Sequence, residues 1–434
     1  MSTKAEALSR RLRQLETTQW QSGEELAALQ GRQLAALAAH CEKASPQFRR
    51  RLAQAGLTAS DLAAPGGLQR LPVLHRRDIQ TATDFYCDTM PEAHQPVFET
   101  RTSGSTGEPV AVQRTAVSQL DWLATTMREH LWHNRDFVKS VCAIRANIVK
   151  TVRADDWGEP VSLLFQSGPI LGLPITLDVT EQMRLIAQFK PHLLIVYPSN
   201  LAALVRCCRQ NGVAFAGLKQ ILTIGETLSP ETRALAEETF GAAVADMYSS
   251  QELGTIALQC PTSPLYHVMA ENLIVEVLDA QGGACREGQT GRLVITDLRN
   301  YATPLIRYDI GDYAEVGPPC PCGRGLQTLT RILGRERNLI LMPDGTRHWP
   351  LVGFHKFREI APVAQYQFVQ HAREDIELRL VTERPLTGDE ENNLRALIQK
   401  ALGYPFALHL VYFEKRIPPA ASGKFEEFVC LVGK

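Results

Sequence analysis

The sequence predicts an α/β protein: a large N-terminal domain of α/β sheets with a β-rich subdomain, followed by a small α+β domain. Three observations predict this. Between residues 115 and 250, helical periodicities alternate with short continuous apolar runs, the pattern of strand–helix–strand units in a parallel sheet. From about residue 265 the chain turns to short β segments joined by Gly-containing turns. Residues 338–434 then run strand, helix, strand, enough for a module with its own core. The expected division is 1–335 and 336–434.

Composition agrees. The 434 residues are enough for two or three domains, and 44% hydrophobic with 21% charged residues is ordinary for a globular chain. A formal net charge of −1 provides no global field for nucleic acid or an anionic membrane, so neither is expected as a partner. The N-terminus mixes charges with single apolar residues, unlike a signal peptide, and no segment reaches the ~18 uninterrupted apolar residues of a membrane span. A cytoplasmic location follows as an expectation, with most of the ten cysteines reduced and buried as small hydrophobes.

In chain order, residues 1–60 read as helices. Leu8, Leu12 and Leu15 share one face, and Leu26, Leu29, Leu34 and Leu37 continue the spacing. Pro65-Gly66-Gly67 breaks the run, Leu71-Pro72-Val73-Leu74 starts a new section, and His75-Arg76-Arg77-Asp78 is a charged turn. Val97–Thr100 and Val110–Val112 read as strands flanking Thr102–Gly107, a hairpin whose tip is free to reach a ligand. Helices are expected at 117–131 and 180–190, and strands at Phe137–Ile144, Leu193–Tyr197, Ile221–Ile224 and Val244–Tyr248. Pro198-Ser199-Asn200 and Ser229-Pro230-Glu231 open two further helices. In open parallel sheets ligands sit at the carboxyl ends of strands, which points to Gly225-Glu226 and Ser249–Glu252.

Thr102–Gly107 consists only of Ser, Thr and Gly. Such a run has almost no apolar surface, but its glycines let backbone N–H groups converge while its hydroxyls add donors, which suits phosphate oxygens. There is no G-x-x-x-x-G-K-[ST], no G-x-G-x-x-G and no G-x-S-x-G, so the common phosphate-loop, dinucleotide and nucleophile-elbow classes are excluded. Downstream stand Tyr248–Glu252, Arg307–Asp312, Gly334-Arg335 and Ser422-Gly423-Lys424.

In this order and spacing, the motifs resemble the adenylate-forming superfamily of acyl- and aryl-CoA ligases, adenylation domains and luciferases. The likeness runs from about residue 45 to 425. Leu71–Leu74, Arg307-Tyr308 and Cys322-Gly323-Arg324 shortly before Gly334 make it most similar to the phenylacetate–CoA ligase-like branch. The resemblance implies that a carboxylic acid, aromatic or cyclic, is activated by ATP and Mg2+ as an acyl-adenylate with release of pyrophosphate. The acyl group then passes to CoA or, alternatively, to a carrier-protein thiol or another nucleophile. A third alternative is a non-catalytic, zinc-braced binding protein. A homodimer is a further expectation.

By the same resemblance, Ser103, Gly104, Ser105, Thr106 and Gly107 hold the β- and γ-phosphates, and Glu252 binds magnesium, for which a carboxylate is a suitable hard ligand. Tyr248 lies against adenine with Gly225 and Glu226 as the other wall. Asp246 and Ser249 belong to the nucleotide-binding set. Asp312 accepts hydrogen bonds from the ribose hydroxyls. Lys424 reaches the α-phosphate and the carboxylate, and Arg335 belongs to the hinge about which the small domain swings. Departures are also present. Glu108 stands where a basic residue is usual, Arg337-Asn338 replaces acidic residues, and Trp349-Pro350 replaces a Gly-rich stretch. These weigh on the thioester step more than on adenylation.

For the acid pocket, Trp132, Phe137, Tyr197 and Ile224 are the expected lining. Arg145, within an apolar stretch, is read either as pairing with a polar group on the acid or with an acid such as Asp178. Cys260, His267, Cys320 and Cys322 form a Cys3His set suited to a closed, structural zinc.

Overall fold

The computed structural model describes residues 3–101, 110–335, 339–348, 357, 359–414, 416–418 and 425–432. The chain opens with helices α1 (Thr3–Thr18), α2 (Gly23–Ala44), α3 (Pro46–Ala55), α4 (Ala59–Ala63), α5 (Gly67–Arg70) and α6 (Arg76–Thr81). Their ends follow from local sequence. Ser22 and Glu25 form a reciprocal capping box on α2, Ser45 caps α3, and Gly56 ends α3 in the left-handed conformation at φ 63°. Strands β1 (Val97–Arg101) and β2 (Ala111–Thr115) pair antiparallel from Val97↔Thr115 to Arg101↔Ala111. This is the expected hairpin flanking the Ser/Thr/Gly run. Helix α7 (Ala116–Trp132) follows, capped by Thr115. The apolar face predicted on α1 is present, with Leu8, Leu12 and Leu15 packing on Ala124 and Met127 of α7.

The middle of the chain alternates as β3 (Val141–Arg145), β4 (Val152–Ala154), α8 (Val161–Leu164), β5 (Ile170–Pro174), α9 (Val179–Phe189), β6 (Leu193–Val196), α10 (Pro198–Asn211), β7 (Gln220–Ile224), α11 (Pro230–Phe240) and β8 (Ala243–Ser250). Only strands then follow: β9 (Gly254–Gln259), β10 (Tyr266–Val268), β11 (Leu273–Leu278), β12 (Thr290–Asp297), β13 (Tyr308–Val316) and β14 (Thr328–Arg335). All of β3 to β14 join one twelve-stranded sheet in the order β11-β12-β13-β14-β10-β9-β8-β7-β6-β3-β5-β4. Neighbours among β5, β3, β6, β7 and β8 are parallel, whereas β8–β9 and the pairs beyond it are antiparallel. The β-rich stretch is therefore not a separate sheet. A tight turn after Ser250 reverses the chain, and hydrogen bonding continues across the reversal.

The parallel strands are mainly apolar on both faces. Ile144, Leu194, Val196, Ile221 and Val244 face α9 to α11, meeting Ile186, Leu201, Leu204 and Phe240. Val141, Ala143, Leu193, Ile195, Leu222, Ile224 and Ala245 form the opposite face. Burial of each such Leu, Ile or Val contributes about 1.5–3 kcal/mol, so these strands are held in place mainly by what covers them.

After β14 come β15 (Ile340–Leu341), β16 (Arg347–His348), β17 (Val363–Ala372), β18 (Asp375–Thr382), α12 (Gly388–Leu402), β19 (Ala407–Tyr412) and β20 (Phe428–Cys430). The last four strands form a sheet of order β19-β18-β17-β20. Phe357, Phe368, Ile376, Leu378, Leu394, Ile398 and Phe406 make a core drawn wholly from this part of the chain. Among the described residues, no helix is long and apolar enough to cross a membrane.

Candidate active site

The candidate site lies at the turn between β8 and β9, beside the carboxyl ends of the parallel strands. β8 leaves the sheet through Ser249 and Ser250, which pair with Thr255 and Gly254 on β9. Glu252 sits in the turn between them and is only 5% exposed. A buried carboxylate needs a partner. Arg76 supplies one, with Nη1 3.3 Å from Glu252 Oε1 across 176 residues of sequence. Arg114, lying over the Trp122 ring at 4.2 Å, donates to the Gln251 carbonyl and fixes the same turn.

The Arg307-Tyr308 motif explains how Arg76 arrives there. Arg307 adopts φ 53°, a conformation unfavourable for a non-glycine residue, and is held in it on several sides. Its guanidinium bonds Glu276 and the carbonyls of Gln69 and Leu71. Leu74 bridges Tyr308 in parallel: Leu74 N–H donates to the Arg307 carbonyl at 2.7 Å, and Asp309 N–H donates to Leu74 at 2.8 Å. The Leu71–Leu74 segment is thus stitched to β13, and α6 emerges next to Glu252.

Beyond the turn, the Tyr248 hydroxyl donates to Asp312 Oδ2 at 2.7 Å. The two residues expected on adenine and on ribose are therefore hydrogen-bonded neighbours. Arg335, last in β14, stands opposite Asp312 in the β13–β14 register, which sets the end of the large sheet beside that pair. At the end of β7, Gly225 has φ 73°, and a Cβ there would meet Tyr197 Cε1 at 3.0 Å, so glycine is needed for both backbone and space. Glu226 accepts from Ser199 N–H at 2.9 Å in the first turn of α10, where a negative charge is favourable. Its other oxygen accepts from Phe425 N–H at 3.3 Å, a direct tie between the large sheet's edge and the C-terminal module. Ser103, Gly104, Ser105, Thr106, Gly107 and Lys424 lie outside the described residues.

Three expected site residues have other roles. Asp246 is 6% exposed and accepts from Thr223 Oγ1 at 2.5 Å and from the Tyr266 hydroxyl at 2.9 Å. Burial raises its pKa against those hydrogen bonds. It ties β7, β8 and β10 together inside the sheet, with both carboxylate oxygens taken up by those bonds. Trp132 donates from Nε1 to Gln19 at 2.9 Å, meets the His267 ring edge-on at 5.6 Å and carries Arg324 over its face at 4.3 Å. It packs behind the Cys/His set rather than in an acid pocket. Phe137 precedes β3 and packs on Trp157 and Phe165, at the amino end of the strands, opposite the site. Tyr197 and Ile224 do stand at the carboxyl edge.

The Cys/His set converges. Cys260 follows β9, His267 lies on β10, and Cys320 and Cys322 come from the loop before β14; their four ligand atoms lie within 4.8 Å of one another. Cys260 Sγ to Cys320 Sγ is 3.7 Å, and Cys322 Sγ to His267 Nε2 is 3.3 Å. Sulfurs about 2.3 Å from a tetrahedral zinc would stand ~3.8 Å apart, so the set fits that ion. Burial, then the positive charge of Arg324, brings His267 down to about 4, leaving the neutral imidazole that ligates metals. Burial pushes the Cys260 thiol up, but hydrogen bonds from Thr262, Ser263 and Cys320 outweigh it and bring it to about 7.

Sequence reasoning missed Arg76. Its only signal was a basic residue in a charged turn, with no indication of which acid it would meet. It also missed the buried ion pairs that lock the helices behind the site: Arg11 to Asp121 at 2.5 Å, Arg299 to Asp121 at 2.7 Å and Arg128 to Glu271 at 2.7 Å. A polar cavity of about 20 Å³, room for one water, lies between Arg114, Asp121, Glu252, Asp297 and Arg299.

Comparison with known proteins agrees with this architecture. Residues 67–298 match the family model described as AMP-binding enzyme. The phenylacetate–coenzyme A ligase of Pseudomonas putida is 24% identical over 322 residues, 68% of this chain and 67% of that one. The phenylacetate–coenzyme A ligase of Thermus thermophilus is 25% identical over 345 residues, 74% of this chain and 72% of its own. Among solved structures, 2-hydroxyisobutyryl-CoA ligase in its postadenylation state superposes with TM-score 0.76 at 18% identity, covering 95% of this chain and 91% of that one. The same ligase in its thioesterification state gives 0.62 at 20% identity, covering 95% and 91%. The family match spans more than half of the chain, and the chain belongs to the AMP-binding enzyme family.

Proposed function

We propose that this protein joins a carboxylic acid to ATP, forming an acyl-adenylate and pyrophosphate, and passes the acyl group to the thiol of CoA. The observation that carries the reading is the grouping at the β8–β9 turn. An almost fully buried Glu252 and the hydrogen-bonded pair Tyr248–Asp312 meet at the edge of the sheet where open α/β folds bind ligands. The phenylacetate–coenzyme A ligases it resembles support CoA as acceptor.

A carboxylate approaching a triphosphate brings like charges together, so catalysis rests on positioning and charge compensation. In this reading Ser103–Gly107 hold the β- and γ-phosphates, Tyr248 and Gly225-Glu226 flank the adenine, and Asp312 accepts from the ribose. Glu252 would hold magnesium, an ion that takes few carboxylates and supplies charge neutralisation at the phosphates. Lys424 would meet the α-phosphate and the carboxylate. Residues 336–434 would move as the lid, with Arg335 at the hinge. Cys260, His267, Cys320 and Cys322 would hold a structural zinc that ties β9 and β10 to the loop before β14. With four protein ligands, no position is left for catalysis.

The test is acceptor competition. Purified protein, ATP, magnesium and a panel of aryl, indolyl, pyridyl and short aliphatic acids are offered CoA, a holo-carrier protein or hydroxylamine. The expected product is an acyl-CoA thioester. Transfer to the carrier protein or hydroxylamine with none to CoA would reassign the second step while keeping the first.

A further inference from the structure

The carboxyl edge of the parallel strands carries a row of side chains that the nucleotide site does not use. The registers Arg145↔Pro174, Ala143↔Ile195, Val196↔Thr223 and Ile224↔Met247 place Arg145, Tyr197, Ile224 and Met247 level with one another on β3, the residue after β6, β7 and β8. Strand alternation puts all four on the face formed by Val141, Ala143, Ile195 and Leu222, against which Tyr197 and Met247 pack. From β8 outward the row reads Met247, Ile224, Tyr197, Arg145: two apolar groups, a phenol and a guanidinium.

Arg145 is the anomaly in this row. It is partly buried at the end of a strand whose other members are fully buried and apolar. Among the described residues no hydrogen bond or ion pair holds its guanidinium; burial lowers its pKa, and the neighbouring Tyr197 phenol works against that. Asp178, the acid named above as a possible partner, instead caps α9, accepting from the N–H groups of Thr180 and Glu181. A partly buried cation with no counter-charge among the described residues is a favourable place for a ligand's anion. The Tyr197 hydroxyl, 3.3 Å from Ala146 N, stands on the same side.

We infer that Arg145, with Tyr197, binds a second, anionic group at the far end of the substrate, so that the protein activates acids carrying a distal carboxylate or equivalent anion across an apolar spacer. The inference rests on the adenylation reading above. With the reacting carboxylate near the end of β8, three strand spacings separate it from β3, roughly 14 Å between backbones. The reach of the arginine side chain shortens this to about the span of one aromatic ring. Ile224 and Met247 provide the apolar surface under that spacer.

The experiment is ATP–pyrophosphate exchange without CoA, using matched pairs of acids that differ only in a distal carboxylate, for example phenylacetate and 4-carboxyphenylacetate. The readout is the ratio of kcat/KM within each pair. In the wild type the ratio should favour the anionic member by at least about tenfold, the worth of one charge-assisted, partly buried contact. Arg145→Met should bring it to about one, and Arg145→Lys, which keeps the charge but loses the fork, should restore part of it. A wild-type ratio near one in every pair overturns the inference, as does a ratio unchanged in Arg145→Met. If Arg145→Met does not fold, the wild-type ratios and the Lys variant still decide. Exchange with plain acids alone would refute the distal anion while leaving adenylation intact; no exchange with any acid would remove both.

Discussion

The two halves of the large sheet solve different problems. In the parallel half, β3, β5, β6, β7 and β8 are mainly apolar on both faces, with Thr223 and Asp246 the buried polar pair, and Arg145, Tyr197 and Glu226 stand at or just beyond the strand ends. In the antiparallel half, polar side chains lie within the sheet or against it: Glu276 with Arg307, Glu271 with Arg128 and the Cys3His cluster. The parallel half therefore presents an edge that can change its ligand without disturbing its core. The antiparallel half carries Asp312 on β13 and, through Arg307 and Leu74, holds the segment that leads into Arg76. Substitutions at the edge should alter turnover or selectivity, and those in the antiparallel half should alter stability.

The largest expected effect at the site is that of Lys424→Ala, which should lower ATP–pyrophosphate exchange by at least about 10²–10³-fold at unchanged melting temperature. Glu252→Gln should follow, with a loss of about 10²-fold and a raised magnesium requirement, read from exchange rates across a magnesium titration. In the antiparallel half, Glu271→Gln leaves Arg128 as an uncompensated buried cation. It should cost about 3–5 kcal/mol in urea unfolding while active-site titration shows the remaining folded protein turning over normally. Replacing Cys320 and Cys322 together by Ser should bring zinc below about half an equivalent and lower the melting temperature by several degrees. The smallest effect is that of Tyr248→Phe. Loss of its hydrogen bond to Asp312 is worth about 0.5–1.5 kcal/mol, a two- to tenfold rise in KM for ATP. A Glu271→Gln protein of full stability and no turnover would break the division between the halves.

Much of this was legible in the sequence, and what was missed has a physical pattern. Local signals worked. Alternating periodicities located the parallel strands, Ser229-Pro230 opened α11, and the helix expected within residues 338–434 is Gly388–Leu402. Motif order singled out Glu252, Tyr248 and Asp312 as candidates, but it could not show that the last two touch. Aromatic character misled: Trp132 and Phe137 sit near element ends, and sequence does not say which end of a sheet a helix terminus reaches. The family resemblance put Asp246 in the nucleotide-binding set, but its carboxylate accepts from Thr223 and Tyr266 within the fold. Arg76 and Arg145 needed three dimensions for opposite reasons. Arg76 meets an acid far away in sequence, whereas Asp178, the acid considered for Arg145, caps α9 instead.

The central claim, that the edge around Glu252 activates a carboxylic acid with ATP, is tested most directly by acid-dependent ATP–pyrophosphate exchange with magnesium and no CoA. Labelled pyrophosphate should appear in ATP only when a suitable acid is present, and Glu252→Gln should suppress it. Acid-independent exchange, or none across mono- and dicarboxylic aryl and alkyl acids with folded protein, would contradict the account.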